Sequence, residues 1–119
     1  MSELLPDGSN QAVNGRGVAI PLDAVPAEDT VSGSPRQGIA ELGSIGGCEV
    51  GIWELRSGIV TDTEVDELFV VLSGGAIIEF LDEDRSVEVG PGDTVRLIAG
   101  SRTRWTVEDH IRKVYIAAE

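Results

Sequence analysis

At 119 residues with 41% apolar side chains, the chain is long enough for one domain around one hydrophobic core, which at this size covers only about two-thirds of the surface exposed on unfolding. Its 21 acidic and nine basic residues give a formal charge of −12, which repels phosphate backbones and anionic lipid and so excludes nucleic acid and membrane surfaces as partners. The single cysteine, Cys48, rules out an internal disulfide, no apolar run approaches the roughly 18 residues of a membrane span, and the polar residues 1–17 are no signal peptide, so a cytoplasmic protein is expected.

In chain order, residues 1–16 are expected to form a flexible N-terminal tail and residues 17–119 a single domain. Residues 17–22 read as a short strand that Pro21 confines to an edge or an end, and residues 23–37, with Pro26, Gly33, Ser34 and Pro35, as a long connection. From Gly38 onward, β-type runs recur at 38–43, 48–56, 64–73, 75–81, 85–89, 93–98, 103–108 and 112–118. Hairpin signals stand at Ser73-Gly74-Gly75, Asp82-Glu83-Asp84 and Gly90-Pro91-Gly92. No window holds the three-and-four apolar spacing of a helix for long, so the fold class is all-β, a sandwich or barrel.

Two strands carry most of the information. The run 68–72 is apolar on both alternating faces and must be covered on both, so it is central. Glu67, Phe69 and Val71 then look inward, while Leu68, Val70 and Leu72 meet a further layer, either the N-terminal arm or a second subunit. Arg102, Arg104 and Thr106 alternate with Thr103, Trp105 and Val107, the pattern of a strand with one wet face, which turns Trp105 inward.

Two segments resemble the paired signatures of the cupin superfamily. One is Glu67-Leu-Phe-Val-Val-Leu-Ser-Gly74, a glutamate followed by glycine at the end of an apolar strand; the other is Gly92-Asp-Thr-Val-Arg-Leu-Ile-Ala-Gly100, introduced by the turn Pro91-Gly92-Asp93. Within that superfamily the chain resembles the group of the ethanolamine-utilisation protein Q barrel and the ureidoglycine aminohydrolase domains, through Val50-Gly-Ile-Trp-Glu54, Ser57-Gly58, Asp66-Glu67 and Thr103-Arg-Trp105 with Ile111-Arg-Lys113. The resemblance spans roughly residues 30–118 and implies a double-stranded β-helix barrel of two antiparallel sheets. Metal-binding cupins supply His-x-His before the glutamate and a final histidine in the second segment. Here residues 60–66 hold no histidine, Ile98 replaces the proline, and Thr103 stands at the last histidine's place, leaving Glu67 alone of the four usual ligands. No metal and no cofactor are expected.

Glu67 is the candidate catalytic residue: a carboxylate among Phe69, Trp53 and Trp105 must hold a proton or meet an arginine or hydroxyl partner, and equally serves as a structural carboxylate bonded to backbone. Trp53, Phe69, Trp105 and Tyr115, on one inner face, would make an apolar cup for a small organic ligand, or simply fill the core. Thr103 joins them, as does Lys113, which shares a strand face with Tyr115. Arg96, Arg102, Arg104 and Arg112 read as an outer face pairing with acids, and His110 as a surface residue in a turn.

The leading expectation is a metal-independent small-molecule-binding protein, with any proton transfer at Glu67. The alternatives are a carboxylate-metal enzyme using Glu67 with Glu64, Asp62 or Thr103, resembling the aminohydrolase domains, and a non-enzymatic regulatory or assembly module. A homodimer is expected, through Leu68, Val70 and Leu72 or through residues 17–22.

Overall fold

The computed structural model describes residues 3–118; Met1, Ser2 and Glu119, the outer ends of the expected tail and domain, lie outside the described residues. Among the described residues there are nine strands and one turn of 3₁₀ helix, Ala27–Asp29. The strands are β1 (Asp23–Ala24), β2 (Thr30–Ser32), β3 (Arg36–Ile45), β4 (Cys48–Thr63), β5 (Glu67–Gly74), β6 (Ala76–Phe80), β7 (Arg85–Val89), β8 (Thr94–Leu97) and β9 (Arg102–Ala118). All pairings are antiparallel. The fold is the expected all-β barrel of two facing sheets. No helix among the described residues is long and apolar enough to cross a membrane.

β4 and β9 run side by side for nearly their whole length and belong to both sheets. Their register slips where Arg56 faces His110 and Gly58 faces Val107, so that two residues of β9 oppose one of β4. Such a bulge bends the pair. On one side of it lie β1, β3, β5 and β8; on the other lie β2, β6 and β7. The separate runs expected at 103–108 and 112–118 are therefore one strand, and His110 lies within it rather than in a turn. Its ring meets Ser73 Oγ at 3.0 Å and Asp109 at 2.5 Å.

Two of the three hairpin signals mark something else. Only Asp82-Glu83-Asp84 closes a hairpin, between β6 and β7. At Gly74-Gly75 the chain crosses from one sheet to the other, because β5 pairs with β8 and β9 whereas β6 pairs with β7 and β9. Gly74 has φ +72°, and a Cβ there would stand 1.9 Å from the His110 carbonyl oxygen, so only glycine fits. Pro91-Gly92-Asp93 is a second crossing, pinned to β5 by hydrogen bonds from Gly92 N–H to the Val71 carbonyl and from Val71 N–H to that of Asp93.

The inner faces meet in one core in which Leu55, Phe69, Ile78, Leu97 and Ile111 are essentially sealed from solvent. A second, smaller cluster on the outer face of β3, β4 and β9 holds Ala40, Leu42 and Ile52 and is roofed by Leu5, Val18 and Ile20. The segment expected as a flexible tail is tied down at two places. Leu4 and Leu5 donate their N–H groups to the carbonyls of Glu41 and Leu42. Arg112, on the outer face of β9, donates from one guanidinium nitrogen to the carbonyls of Gly15, Arg16 and Val18 and from Nε to Glu54 at 2.7 Å. Residues 17–22 form no strand; β1 begins one residue later and takes the edge beside β3.

Candidate functional site

Alternation along β9 sends Ile111, Lys113, Tyr115 and Ala117 inward, and along β5 it does the same for Glu67, Phe69 and Val71. In register, Lys113 faces Trp53 of β4 on one side and Val71 of β5 on the other. Its side chain lies between the sheets, and Nζ donates to Glu67 Oε2 at 2.6 Å, with only 7% of the lysine and 10% of the glutamate side chain exposed. Three rings surround the same ammonium, their centroids 4.3 Å (Phe69), 4.7 Å (Trp53) and 5.0 Å (Trp105) away. Taking two charges out of water costs several kcal/mol per ion. The close carboxylate and up to ~2 kcal/mol per desolvated ring face offset that cost.

Above this pair opens a cavity of about 340 Å³, at the small end of the range for ligand sites. Trp53, Trp105, Tyr115 and Lys113 line it, and the two indoles meet edge to face at 5.4 Å. Gly51 makes room for the phenol, since a Cβ there would come within 2.5 Å of the Tyr115 hydroxyl. Phe69 and Thr103 are completely buried behind the wall and do not line the cavity, so these two expected ligand contacts are supports of the cup. Glu67 points inward as expected, but its partner is Lys113 rather than an arginine or hydroxyl.

Sequence alternation missed Glu64. It would place Glu64 opposite Glu67 if β5 had begun by then, but β5 begins only at Glu67. Glu64 sits in the connection, where its N–H donates to the Ser101 carbonyl and its own carbonyl accepts from Gly100. That turn drives the side chain into the barrel, where Oε2 accepts from the Thr103 hydroxyl at 2.6 Å and from Trp105 Nε1 at 3.2 Å. Among the described residues its second oxygen accepts no hydrogen bond, and the residue lines the cavity. Replacing Glu64 by leucine removes the acceptor that the Thr103 hydroxyl and the Trp105 indole share. The indole N–H keeps Thr103 Oγ1 at 3.1 Å and the hydroxyl keeps the Asp62 carbonyl at 3.4 Å, so the loss lies near the low end of the about 1–3 kcal/mol for an orphaned group. Glutamine keeps an acceptor there. The expected result is a clear drop in the urea midpoint for Glu64→Leu and a much smaller one for Glu64→Gln.

The remaining acids make the cup electronegative. Asp29, Glu49, Asp62, Glu64 and Glu67 line it against the single ammonium of Lys113. At the mouth, loss of hydration and the neighbouring Glu64 push the Asp62 carboxyl up to about 6, and desolvation with Glu49 nearby pushes the Tyr115 phenol up to about 12. On the outer wall, Arg96, Arg102, Arg104 and Arg112 pair with Asp66, Asp82, Glu79 and Glu54, as expected of a charged outer face. Burial works to raise Glu54, but Arg112 and Arg56 outweigh it and hold that carboxyl below its usual range.

The donor set does not suit a metal. Glu67 is already bound by an ammonium, which would repel a divalent ion, and Glu64 spends one oxygen on Thr103 and Trp105. Among the described residues no three His, Cys, Asp or Glu side chains converge as metal ligands.

Comparison with known proteins gives a consistent picture. The family model of the EutQ-like cupin domain matches residues 42–115. No curated protein sequence matches the chain significantly. Among solved structures, the Clostridium difficile EutQ protein superposes with a TM-score of 0.65 at 19% identity, over 81% of this chain and 75% of that one. A Pseudomonas syringae pv. tomato protein of unknown function superposes with a TM-score of 0.75 at 20% identity; the match covers 87% of this chain and only 46% of that one. A structure from work on the DMSP lyases RdDddP and RnDddQII superposes at 0.60 with 18% identity, over 70% of this chain and 47% of that one. At these identities the superpositions establish shared fold.

Proposed function

The chain belongs to the EutQ-like cupin family, and from that premise we propose that its cup binds a small organic molecule without a resident metal. The observation that carries this reading is the floor of the cup, where a buried Lys113–Glu67 ion pair lies under Trp53 and Trp105 beside open space. Five carboxylates against one ammonium favour a ligand whose exposed end is cationic or rich in hydrogen-bond donors, with an apolar part against the indoles. Proton transfer in such a complex falls to the carboxylates: Glu64 through its unbonded oxygen, and Glu67 by exchange with Lys113.

Tetramethylammonium is a suitable probe, read by tryptophan fluorescence. Asp62 carries its charge above about pH 6 and loses it below. Binding should therefore weaken as pH falls through that value, by about tenfold or ~1.4 kcal/mol if Asp62 supplies one unit of electrostatic attraction. Asp62→Asn should flatten that step. No fluorescence change at any pH would end the small-molecule reading for cationic ligands. Asp62 contributes to stability with the opposite sense: its raised folded-state pKa favours the fold at low pH, and the contribution is lost as pH rises through about 6.

A homodimer is the second part of the proposal. Leu72 is covered from the N-terminal side, against Gly15, whereas Leu68 and its cross-strand neighbour Ile116 remain 40% and 45% exposed on the outer face. A second copy seated on that pair would complete the layer. Sedimentation of the full chain and of Leu68→Glu tests it: a wild-type monomer at tens of micromolar would reject the interface.

A further inference from the structure

The chain has eight arginines and one lysine, and the lysine is Lys113. The outer-wall pairs of Arg96, Arg102, Arg104 and Arg112 all use arginine, and in the one of these that is buried, Arg112–Glu54, the planar, weakly hydrated guanidinium suits a static pair better than an ammonium does. The one primary amine on a side chain lies in the floor of the cup, nearly buried, next to a proton acceptor and lining the cavity. We propose that Lys113 forms an imine with a small aldehyde or ketone in the cup, uncharged or cationic, since the surrounding carboxylates repel an anionic carbonyl compound. This rests on the reading of the cup as a small-molecule site.

The step balances within the residues present. The Lys113 ammonium passes a proton to Glu67, 2.6 Å away, and its freed lone pair forms the C–N bond to the carbonyl carbon. The C=O π electrons move to oxygen, which takes up a proton. Nitrogen gives up a second proton, the hydroxyl leaves as water with one, and the product is a protonated imine. Net, one ammonium and one carbonyl compound become one iminium and one water. The cup holds a single positive charge before and after, so the faces of Phe69, Trp53 and Trp105 and the carboxylate of Glu67 stabilise product as they stabilised reactant.

Having one lysine makes the test simple, because the only other primary amine is the chain's α-amino group. The full-length protein is incubated with butanal and sodium cyanoborohydride, and the reduced product is located by intact mass and peptide mapping. The expected result is one butyl group on Lys113 in folded protein, gained faster than on the α-amine despite burial and saturating with butanal. Lys113→Arg, which keeps a cation in the ring cluster, should carry the group on the α-amine alone. Should that variant not fold, urea-denatured wild type, which labels at both amines, is the reference. Folded wild type labelled only at the α-amine would overturn the imine. If tetramethylammonium still changes the fluorescence of that sample, the imine alone fails; if it does not, the binding reading fails as well.

Discussion

Lys113→Met should lower the unfolding free energy by about 3–5 kcal/mol, the usual consequence of leaving one member of a buried ion pair without its partner. Lys113 and Glu67 are both nearly inaccessible, and among the described residues no other cation lines the cup to replace the ammonium. Methionine fills similar space, so the loss reports the stranded carboxylate and the three forfeited ring contacts rather than a cavity. The double variant Lys113→Met/Glu67→Leu removes both charges and should recover most of the deficit, since well-packed apolar replacements of buried pairs are often neutral or better. Urea unfolding of wild type and the two variants checks both points. A single variant within about 1 kcal/mol of wild type would mean that water reaches the pair and hydrates the cup floor.

Arg112→Gln should have the next largest effect, about 3 kcal/mol, together with a local consequence. Arg112 joins the buried Glu54 carboxylate to the carbonyls of Gly15, Arg16 and Val18, so one guanidinium holds the N-terminal arm over the outer cluster. Glutamine cannot reach both ends. Arg56, which is half exposed, remains as partial compensation for Glu54 and keeps the loss at the lower end of the range for a broken buried pair. Released from the clamp, the bond after Arg16 should become the first site of tryptic cleavage, while wild type is cut there slowly. Equal cleavage rates in the two proteins would show that apolar packing of Val18 and Ile20, rather than Arg112, holds the arm.

Much of this architecture could be read from period-two alternation. Phe69, Val71, Thr103, Trp105 and Val107 all lie inward as their spacing requires, and Lys113 reaches the cup because it shares a face with Tyr115. Alternation fails where a residue lies outside a strand. Glu64 precedes β5, so its direction is set by the turn joining it to Gly100 and Ser101, which no local pattern encodes. The two crossings at Gly74-Gly75 and Pro91-Gly92-Asp93 carry the same residues that hairpins use; pairing partners distant in sequence decide which way the chain goes. Likewise β9 reads as two strands, because the polar Glu108-Asp109-His110 sits on a bulge that continues the strand while mimicking a turn. The carboxylate partners of the arginines are also invisible without the fold, although the excess of acids over bases makes such partners plentiful.

β4 and β9 lie at the centre of both sheets, and they meet only by bringing Cys48 beside Ala118 and Thr63 beside Arg102. Neither half of the shell contains a complete set of neighbours without the other, so unfolding should be a single cooperative transition with no half-assembled species. Refolding must also wait for ends far apart along the chain to find each other before either sheet has a middle. That topology puts its rate in the milliseconds-to-seconds range typical of non-local β proteins.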